Sequence, residues 1–441
     1  MKIYDSLTQT TKNLPENKIT IYNCGPTVYN YVHIGNIRPL ITFDVLYNYL
    51  KLSKKSVQYA HNLTDVDDKI IKRAKEEKTT ELAVSEKYGQ AYLELIKELN
   101  ANLMDFIPKV TENIEGIIGY VQQLVQADAG YEAQNGDVYF SIDKVKNIYG
   151  QLSKQNVDNL IQDARKEIDV SEKKNPLDFV LWKKTTEGVN WQSPWNEHGR
   201  PGWHTECAYF ISKYFGEQVT IHGGGIDLKF PHHENERAQH YALYHKEMAQ
   251  VWMHVGHVNV NNVKMSKSLG NFILAKDILA KYSPNVVRWF FLQTKYENPI
   301  NYSETIMDET KKNFNKLVKD VNLAIVNLAL QNQEFIYQAD MLIPAELVTI
   351  LDEDLDFPNS VAYIIQLIKT LSGLNKERNY GEVEKTINKI IVALKVFNIT
   401  YNYEFIKQYA EDIKLWKEHL ANKDYQKVDE VRAKLIKEEI I

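Results

Sequence analysis

Residues 24–36, which read CGPTVYNYVHIGN, carry side chains suited to phosphate binding. His33 and Asn36 are three residues apart on the first turn of a predicted helix, so both can donate hydrogen bonds to a phosphate at that helix terminus. Gly35 lets a nucleotide approach the backbone closely. For this segment alone, the simpler interpretation is that His33 only caps the helix.

Residues 264–271, which read KMSKSLGN, place two ammonium groups on a short loop. Lys264 and Lys267 suit a reaction with a pyrophosphate leaving group, in which a protein acts mainly by positioning and by stabilising developing charge. A solvated loop is the alternative for a lone lysine pair. The presence of both segments in one chain favours phosphate chemistry.

Three other chemistries are excluded by the motifs that they require. HGGG at residues 222–225 is typical of some esterases, but the chain contains no G-x-S-x-G nucleophile elbow. His233-Glu234 would begin a zinc-protease motif, but position 237 is arginine. The chain contains no Walker A loop, which excludes a P-loop NTPase.

The pattern of the chain predicts the elements that position these residues. Residues 18–24 alternate as a strand, and an apolar period follows the glycine-bearing loop, so we predict strand, loop and helix, with Pro39 in the first helical turn. Further strands are predicted at 57–63, 179–182, 219–221 and 252–258, with helices starting near Asp67 and Thr80. Beyond about Tyr302 the periodicity is helical. We therefore expect an α/β Rossmann-like parallel-sheet domain with an insertion, followed by an all-α C-terminal helical bundle.

Composition narrows the class of protein further. The chain has 441 residues, a formal net charge of -5 and two cysteines, Cys24 and Cys207. Two cysteines exclude a disulfide-stapled secreted domain and a four-cysteine zinc site, and leave one bridge or one mixed site. No apolar run is long enough to cross a membrane, and the N-terminus lacks a secretory signal, so we expect a cytoplasmic protein.

The segments at residues 24–36 and 264–271 resemble the HIGH and KMSKS signatures of class I aminoacyl-tRNA synthetases. The sequence around them resembles the cysteinyl branch of that family. The resemblance runs at high specificity from about residue 18 to residue 303. It includes NLTDVDDK at 62–69, NGDV at 135–138, DFVLWK at 178–183, GRPGWHTEC at 199–207, IHGGGIDL at 221–228 and FPHHENE at 230–236.

The resemblance implies a single zinc ion, with Cys24, Cys207, His232 and Glu236 as its ligands. His232 and Glu236 are four residues apart, which places them on one face of a helix. Two thiolates, an imidazole and a carboxylate suit Zn²⁺. Without the flanking motifs, buried cysteines and a core histidine would be an equal alternative. The ligand charges exceed that of the ion, so an incoming thiolate would have to loosen a ligand such as Glu236.

The resemblance also implies roles for other residues. Thr64, Trp203 and Gly25 would bind the amino acid, with Thr64 contacting its ammonium or its carboxylate; for a lone Trp203, ordinary core packing is the alternative. The predicted ATP-binding residues are Gly35, Asp227, Ser266, Lys267 and Ser268, and Mg²⁺ would accompany the ATP. The carboxylates Asp65, Asp67 and Asp68 are interpreted as the N-terminal turn of a helix rather than as a metal cluster.

The implied domains are six. They are a first catalytic half at 1–115, an inserted connective subdomain at 116–200, a second catalytic half at 201–258, a KMSKS and stem-contact region at 259–302, a tRNA-binding helical bundle at 303–397 and a small anticodon-binding region at 398–441. Asn36 departs from the last histidine of HIGH. The C-terminal end is expected to be shorter than in relatives, which would leave fewer residues to read the anticodon.

The expected substrates and partners are ATP, L-cysteine and tRNA(Cys), with no membrane and with a monomeric chain. A cysteine ligase that uses a small amine acceptor is the nearest alternative, but about 140 residues of predicted helix after Tyr302 favour tRNA. A catalytically silent tRNA-binding paralogue is the third hypothesis. The intact His33, Lys264 and Lys267 and the four implied zinc ligands argue against it.

Overall fold

The structure is a computed structural model that describes residues 1–101, 104–155, 172–265 and 270–441. The chain divides into two units. The first comprises Met1–Asn259, Val263–Ile278 and Tyr296–Ile300, and the second comprises Val260–Asn262, Leu279–Lys295 and Asn301–Ile441. The six domain ranges inferred from the sequence stay a prediction.

The strands form four small sheets. They are β1 (Lys2–Asp5), β2 (Thr10–Asn13), β3 (Lys18–Asn23), β4 (Ser56–His61), β5 (Gly130–Glu132), β6 (Val138–Phe140), β7 (Phe179–Lys184), β8 (Gly199–Pro201), β9 (Val219–Gly225), β10 (Ala249–Val255), β11 (Val258–Val260), β12 (Val263–Lys264) and β13 (Ile300–Tyr302). The sheets have the orders β1-β2, β10-β9-β3-β4, β12-β11-β13 and β5-β6-β7-β8.

The helices of the first unit lie between these strands, and those of the second follow one another. They are α1 (Ile34–Leu52), α2 (Asp68–Glu77), α3 (Glu81–Glu98), α4 (Ile114–Gln126), α5 (Trp203–Phe215), α6 (Glu234–Tyr244), α7 (Ala275–Leu279), α8 (Pro284–Phe291), α9 (Glu304–Leu330), α10 (Ala345–Asp352), α11 (Phe357–Glu377), α12 (Tyr380–Val396), α13 (Phe405–Gln408), α14 (Ala410–Ala421) and α15 (Tyr425–Lys437).

The sheet of β10, β9, β3 and β4 is parallel throughout, which confirms the predicted α/β class. In register, Tyr22 on β3 pairs with His222 on β9, and Asn23 pairs with His61 on β4. Its strands come from both ends of the first unit, because the chain between β4 and β9 contains α2 to α5 and the antiparallel sheet of β5 to β8. The residues that follow β3 and β4 therefore meet at one edge of the sheet, where ligands of such sheets bind.

Helix α1 connects β3 to β4 and is buried along most of its length. It begins at Ile34, so Pro39 lies in its second turn, and the prediction of a proline in the first turn is wrong. The missing N–H of Pro39 leaves the Gly35 carbonyl without the helical donor four residues later. The predicted starts of α2 and α3 are confirmed, because Asp67 and Thr80 are their N-caps.

The N-terminal hairpin of β1 and β2 is held against β10 by the buried Asp5. Its Oδ1 atom accepts from the backbone N–H of Trp252 at 2.9 Å, and its Oδ2 atom lies 2.6 Å from Nζ of Lys12. Burial acts to raise the pKa of Asp5, but the ammonium of Lys12 and the N–H of Trp252 lower it below the ordinary value.

The second unit is predominantly helical, as the sequence predicted. Its interior is formed by apolar side chains such as Phe314, Ile364 and Ile390, which are buried. Buried Arg288 donates to the carbonyl of Phe397 at 3.0 Å and so connects α8 to the end of α12. Within the described part of the chain, every helix is too short or too polar to cross a membrane.

Candidate active site and metal centre

Four side chains that can hold a metal ion meet inside the first unit. Cys24 directly follows β3, Cys207 lies on α5, His232 lies in the turn before α6, and Glu236 lies on α6. One ligand atom from each lies within 4.8 Å of the others, and all four residues are buried. The structure therefore brings together every residue that was expected to bind zinc.

The ligand atoms of these four residues lie close to one another. Sγ of Cys24 lies 3.6 Å from Sγ of Cys207, and both cysteines are free. Oε1 of Glu236 lies 3.5 Å from Sγ of Cys24 and 2.7 Å from Nε2 of His232. Of the two possibilities that the cysteine count left open, the structure has no bridge between Cys24 and Cys207 and places both in a mixed cluster that could hold a metal ion.

The electrostatics of the cluster favour a cation. Burial acts to lower the pKa of His232, but the Glu236 carboxylate and the Cys207 sulfur raise it to about 10. Burial acts to raise the pKa of Glu236, but His232 and His222 hold it well below the ordinary value. The pKa of the Cys24 thiol is raised by burial and by the neighbouring sulfur and carboxylate. Positive charge therefore stabilises the buried Glu236 carboxylate, and His232 supplies it when its ring is protonated.

A second group of histidines adjoins this cluster, and the sequence analysis assigned it no role. Nε2 of His222 lies 2.5 Å from Oε2 of Glu236. Cys24, His222, His233 and Glu236 form another set whose ligand atoms all lie within 4.8 Å of one another. His222 and His233 both flank predicted ligands or glycines in the motifs, but only packing reveals that their rings face Glu236 and Cys24.

Asn62, which directly follows β4, joins the predicted amino acid-binding residues. Its Oδ1 accepts from the backbone N–H of Gly25 at 2.9 Å, and its Nδ2 donates to Oγ1 of Thr64 at 3.2 Å. A Cβ atom on Gly25 would lie 1.6 Å from the carbonyl oxygen of Asn62, so this approach requires glycine. Sγ of Cys207 lies 3.6 Å from Oδ1 of Asn62, which places these residues beside the metal cluster.

Trp203 begins α5 and lies against His232 of the four-residue cluster. Its ring stacks on His232 with 4.4 Å between centroids and 28° between planes. The ammonium of Lys69 lies 5.6 Å from the centroid of the Trp203 ring and 5.8 Å from that of Tyr29. Trp203 is only half-buried, so one part of its surface is available to a ligand.

His33 caps α1 and is also placed beside the second signature. Its Nδ1 accepts from the N–H of Gly35 at 3.1 Å, while Oδ1 of Asn36 accepts from the N–H of His33 at 3.1 Å. These two reciprocal hydrogen bonds form a capping box, so the structure confirms that His33 caps α1. Because Nδ1 accepts, a neutral His33 ring carries its proton on Nε2, the atom that would donate to a phosphate.

The chain after the lysine loop returns to this helix terminus. The N–H of Ile34 donates to the carbonyl of Ile273 at 3.0 Å, and the N–H of Ala275 donates to that of Val32 at 2.9 Å. Met265 lies next to Gly35, because a Cβ atom there would be 3.1 Å from the Met265 methyl carbon. The structure thus brings Met265, Ile273 and Ala275, on either side of residues 266–269, to the start of α1. Lys264 is exposed on β12, whereas Ser266, Lys267 and Ser268 lie outside the described residues.

The remaining carboxylates have separate positions. Asp227 is exposed in a short helical turn after β9, at the same edge of the parallel sheet. Asp67 caps α2, Asp65 accepts from the backbone and the hydroxyl of Thr111, and Asp68 pairs with Arg200. The prediction of a helix N-terminal turn is therefore confirmed for Asp67 and Asp68, and it is wrong for Asp65, which lies before the helix and bonds to Thr111.

Comparison with known proteins identifies similar sequences over the whole chain. A family model described as the tRNA synthetases class I (C) catalytic domain matches residues 10–312. A cysteine–tRNA ligase from Ureaplasma parvum serovar 3 is 46% identical over 439 residues, covering 99% of each chain. One from Mycoplasma genitalium is 39% identical over 439 residues, covering 100% of each chain. The C-terminal region therefore has a counterpart in both relatives.

Solved structures are similar in fold at low sequence identity. A LeuRS from Agrobacterium radiobacter K84, in a ternary complex with tRNA and LeuAMS, has a TM-score of 0.64 at 11% identity, covering 87% of this chain and 84% of that one. A methionyl-tRNA synthetase from Mycobacterium tuberculosis, bound to methionyl-adenylate, has a TM-score of 0.58 at 12% identity, covering 87% and 90%. The Rossmann-like fold followed by a helical region is common to these proteins.

Proposed function

This chain belongs to the cysteine–tRNA ligase family of class I aminoacyl-tRNA synthetases, and from that premise we propose how its own residues carry out the reaction. Cysteine and ATP give cysteinyl-adenylate and pyrophosphate, and the cysteinyl group then passes to the 3′-terminal ribose of tRNA(Cys). The observation that carries the assignment of residues is a buried set of two sulfurs, an imidazole and a carboxylate in the same unit as the capped N-terminus of α1.

Cys24, Cys207, His232 and Glu236 hold one Zn²⁺ in this proposal. The donor set is that of zinc sites in proteins, and zinc binding would displace the protons of the thiols and of His232. Zinc there supplies a ligand position for the thiolate of the substrate, whereas the hydroxyl of serine is a poor ligand at neutral pH. The selection of cysteine over serine then needs no separate editing domain.

Thr64, Gly25 and Trp203 bind the rest of the amino acid. The hydroxyl of Thr64 donates to Oε2 of Glu206 at 2.8 Å and accepts from Asn62, so its remaining lone pair suits the ammonium of the substrate better than its carboxylate. Trp203, which stacks on His232, closes one side of the pocket with an apolar ring. These contacts orient the carboxylate of cysteine toward the nucleotide.

His33, Asn36, Lys264 and Lys267 stabilise the phosphates of ATP while the adenylate forms. The capping box fixes the His33 ring at a helix terminus that favours anions. Gly35, Asp227, Ser266 and Ser268 complete the nucleotide site, and Mg²⁺ accompanies ATP. The role of the lysines is electrostatic, because phosphoryl chemistry of this kind needs positioned positive charge rather than a covalent partner.

The helical second unit binds tRNA in this proposal, with the bundle at 303–397 meeting the stem and the region at 398–441 meeting the anticodon. Exposed lysines on α9, such as Lys311, Lys312 and Lys316, supply charge for phosphates. The chain acts as a monomer in the cytoplasm.

Charging of total tRNA with radiolabelled cysteine tests the proposal. Full-length protein with ATP should charge tRNA with cysteine and not with serine, and chelator-stripped protein should recover activity when Zn²⁺ is returned. Equal charging with serine, or full activity after complete stripping, would contradict the role given to the metal. Pyrophosphate exchange that depends on cysteine, without charged tRNA, would contradict the role given to the second unit.

A further inference from the structure

We propose that the buried cluster contains a second, overlapping position for the metal ion, made by Cys24, His222, His233 and Glu236. The inference rests on the proposed metal site, with which it shares Cys24 and Glu236. Because these two ligands are common to both positions, a chain holds one ion at a time. The second position exchanges Cys207 and His232 for two imidazoles, and all of its ligand atoms lie within 4.8 Å of one another.

His222 has the surroundings of a metal-binding histidine. Its Nδ1 lies 3.0 Å from the backbone carbonyl oxygen of Tyr22, to which only a protonated nitrogen can donate. A neutral ring then carries a lone pair on Nε2, which lies 2.5 Å from Oε2 of Glu236. At this distance the two atoms share a proton in a hydrogen bond, and a metal ion would bind them by displacing that proton. Metal-binding histidines commonly donate their other N–H to a backbone carbonyl, as His222 does.

His233 provides an independent observation. Its ring is fully buried, and among the described residues its Nε2 has no hydrogen-bond partner. Its Nδ1 lies 2.9 Å from Nε2 of His254, and Nδ1 of His254 lies 2.8 Å from Oγ of Ser6. When His233 donates to His254 and His254 donates to Ser6, the proton of the His233 ring lies on Nδ1. The lone pair on Nε2 of His233 is then available to a metal ion. Buried polar nitrogens rarely stay without a partner, so a ligand role explains this one.

Charge distinguishes the two positions. The first offers two thiolates and a carboxylate, which exceed the charge of a divalent ion by one. The second offers one thiolate and one carboxylate, which balance it. A neutral site is favoured in a buried location, and the thiolate of a substrate would bring its net charge to about -1, compared with about -2 at the first position. At the second position, therefore, the sulfur of the substrate would be the second sulfur ligand of the ion, as Cys207 is at the first position.

Cobalt binding to the full-length protein tests this inference without using activity. Stripped protein is titrated with Co²⁺ alone, and the cobalt content, the dissociation constant from chelator competition and the sulfur-to-cobalt absorption are measured. Cys207→Ser and His232→Gln each remove a ligand of the first position only. Each is prepared alone and together with His233→Gln, and His240→Gln is the matched control, since its ring instead contacts the carbonyl of Glu217 at 2.6 Å.

We expect Cys207→Ser to hold about one cobalt per chain with about half the sulfur-to-cobalt absorption. Adding His233→Gln should then raise the dissociation constant at least about 100-fold, the upper range for loss of supporting groups around a metal. His233→Gln alone should change it less than about tenfold, because the first position remains. Folding of each variant is verified by circular dichroism and thermal unfolding.

Absence of cobalt from folded Cys207→Ser or folded His232→Gln overturns the second position. So does a Cys207→Ser protein whose affinity is unaffected by His233→Gln. If one of these two variants does not fold, the other decides. Wild-type protein without bound cobalt would instead contradict the proposed function, so the two failures are distinguishable.

Discussion

The hydroxyl of Thr64 donates a 2.8 Å hydrogen bond to Oε2 of Glu206, and both residues are buried. The bond connects the chain after β4 to the first turn of α5. Glu206 precedes Cys207 and lies one turn after Trp203, so a carboxylate inside the first unit sets the direction of a predicted substrate contact. Burial and the Cys207 sulfur raise the pKa of Glu206, although the hydrogen bond from Thr64 lowers it.

Replacement of Glu206 by glutamine should weaken cysteine binding. The near-isosteric amide has one oxygen where the carboxyl group has two, so it can turn its NH2 group toward Thr64 and lose a hydrogen bond that contributes about 1 kcal/mol. We expect the KM for cysteine in pyrophosphate exchange to rise about fivefold, with an unchanged KM for ATP. An equal rise in both constants would show that Glu206 supports the fold rather than the amino acid site.

Replacement of Asn62 by aspartate should have a larger effect on the same constant. The variant keeps an acceptor for the Gly25 N–H but loses the donor to Thr64, and it places a carboxylate near the Cys207 sulfur. Loss of the bond and the like charges predict a rise of about 10- to 100-fold in the KM for cysteine. The double variant with Thr64→Val tests whether Asn62 acts through Thr64, because the effects of two changes that act through one contact are not additive. Fully additive effects would contradict it.

Removal of the signature lysines should slow the chemistry more than it weakens substrate binding. Lys264→Ala and Lys267→Ala are each expected to lower the rate of adenylate formation about 100-fold or more, with a smaller change in the KM for cysteine, because they act on developing charge. Lys55→Ala is the control, since Lys55 is an exposed lysine just before β4, at the opposite end of that strand from the site. Rapid-quench measurement of adenylate decides between these expectations.

Asp5→Asn should destabilise the first unit in a pH-dependent way. Asp5 is buried but the Lys12 side chain is 35% exposed, so we expect the loss of this pair to cost about 2 kcal/mol in denaturant unfolding at pH 7. The folded pKa of Asp5 lies below its ordinary value of 3.8, so its contribution is present above that pH. The difference between the wild type and the variant should therefore shrink as the pH falls further. A difference that stays constant down to pH 2 would contradict the pairing.

Zinc should stabilise the stripped protein by mass action. At a free concentration of about 100 times the dissociation constant, a ligand that binds only the folded state adds about 2.7 kcal/mol. Thermal unfolding of stripped protein, with and without Zn²⁺, measures the gain. Cys24→Ser, which removes a ligand of both metal positions, should abolish it, and an undiminished gain in that variant would exclude the cluster as the zinc site.

Sequence patterns predicted the parallel sheet, the helical C-terminal region and the four clustered ligands, since each was carried by periodicity or by a motif. They did not predict the roles of Asn62, Glu206, His222 and His233, because these roles depend on which side chains meet across strands and helices. Tyr22 pairs with His222 only because β3 and β9 are neighbours in the sheet. The position of Pro39 was wrong because the helix start depends on the capping box at His33, which spacing alone does not fix.

The order of the strands also has a consequence for the chain during its synthesis. Cys24 and Glu236 are separated by 212 residues, and a ribosome adds about 5–20 residues per second. The thiol of Cys24 therefore emerges roughly 10–40 seconds before its carboxylate partner. During that interval β3 has β4 on one side but lacks β9 on the other, so the nascent chain exposes an unpaired edge of β3 and the free thiol of Cys24. Chaperones that cover strand edges, and a reducing environment, matter most to this protein before its second half is made.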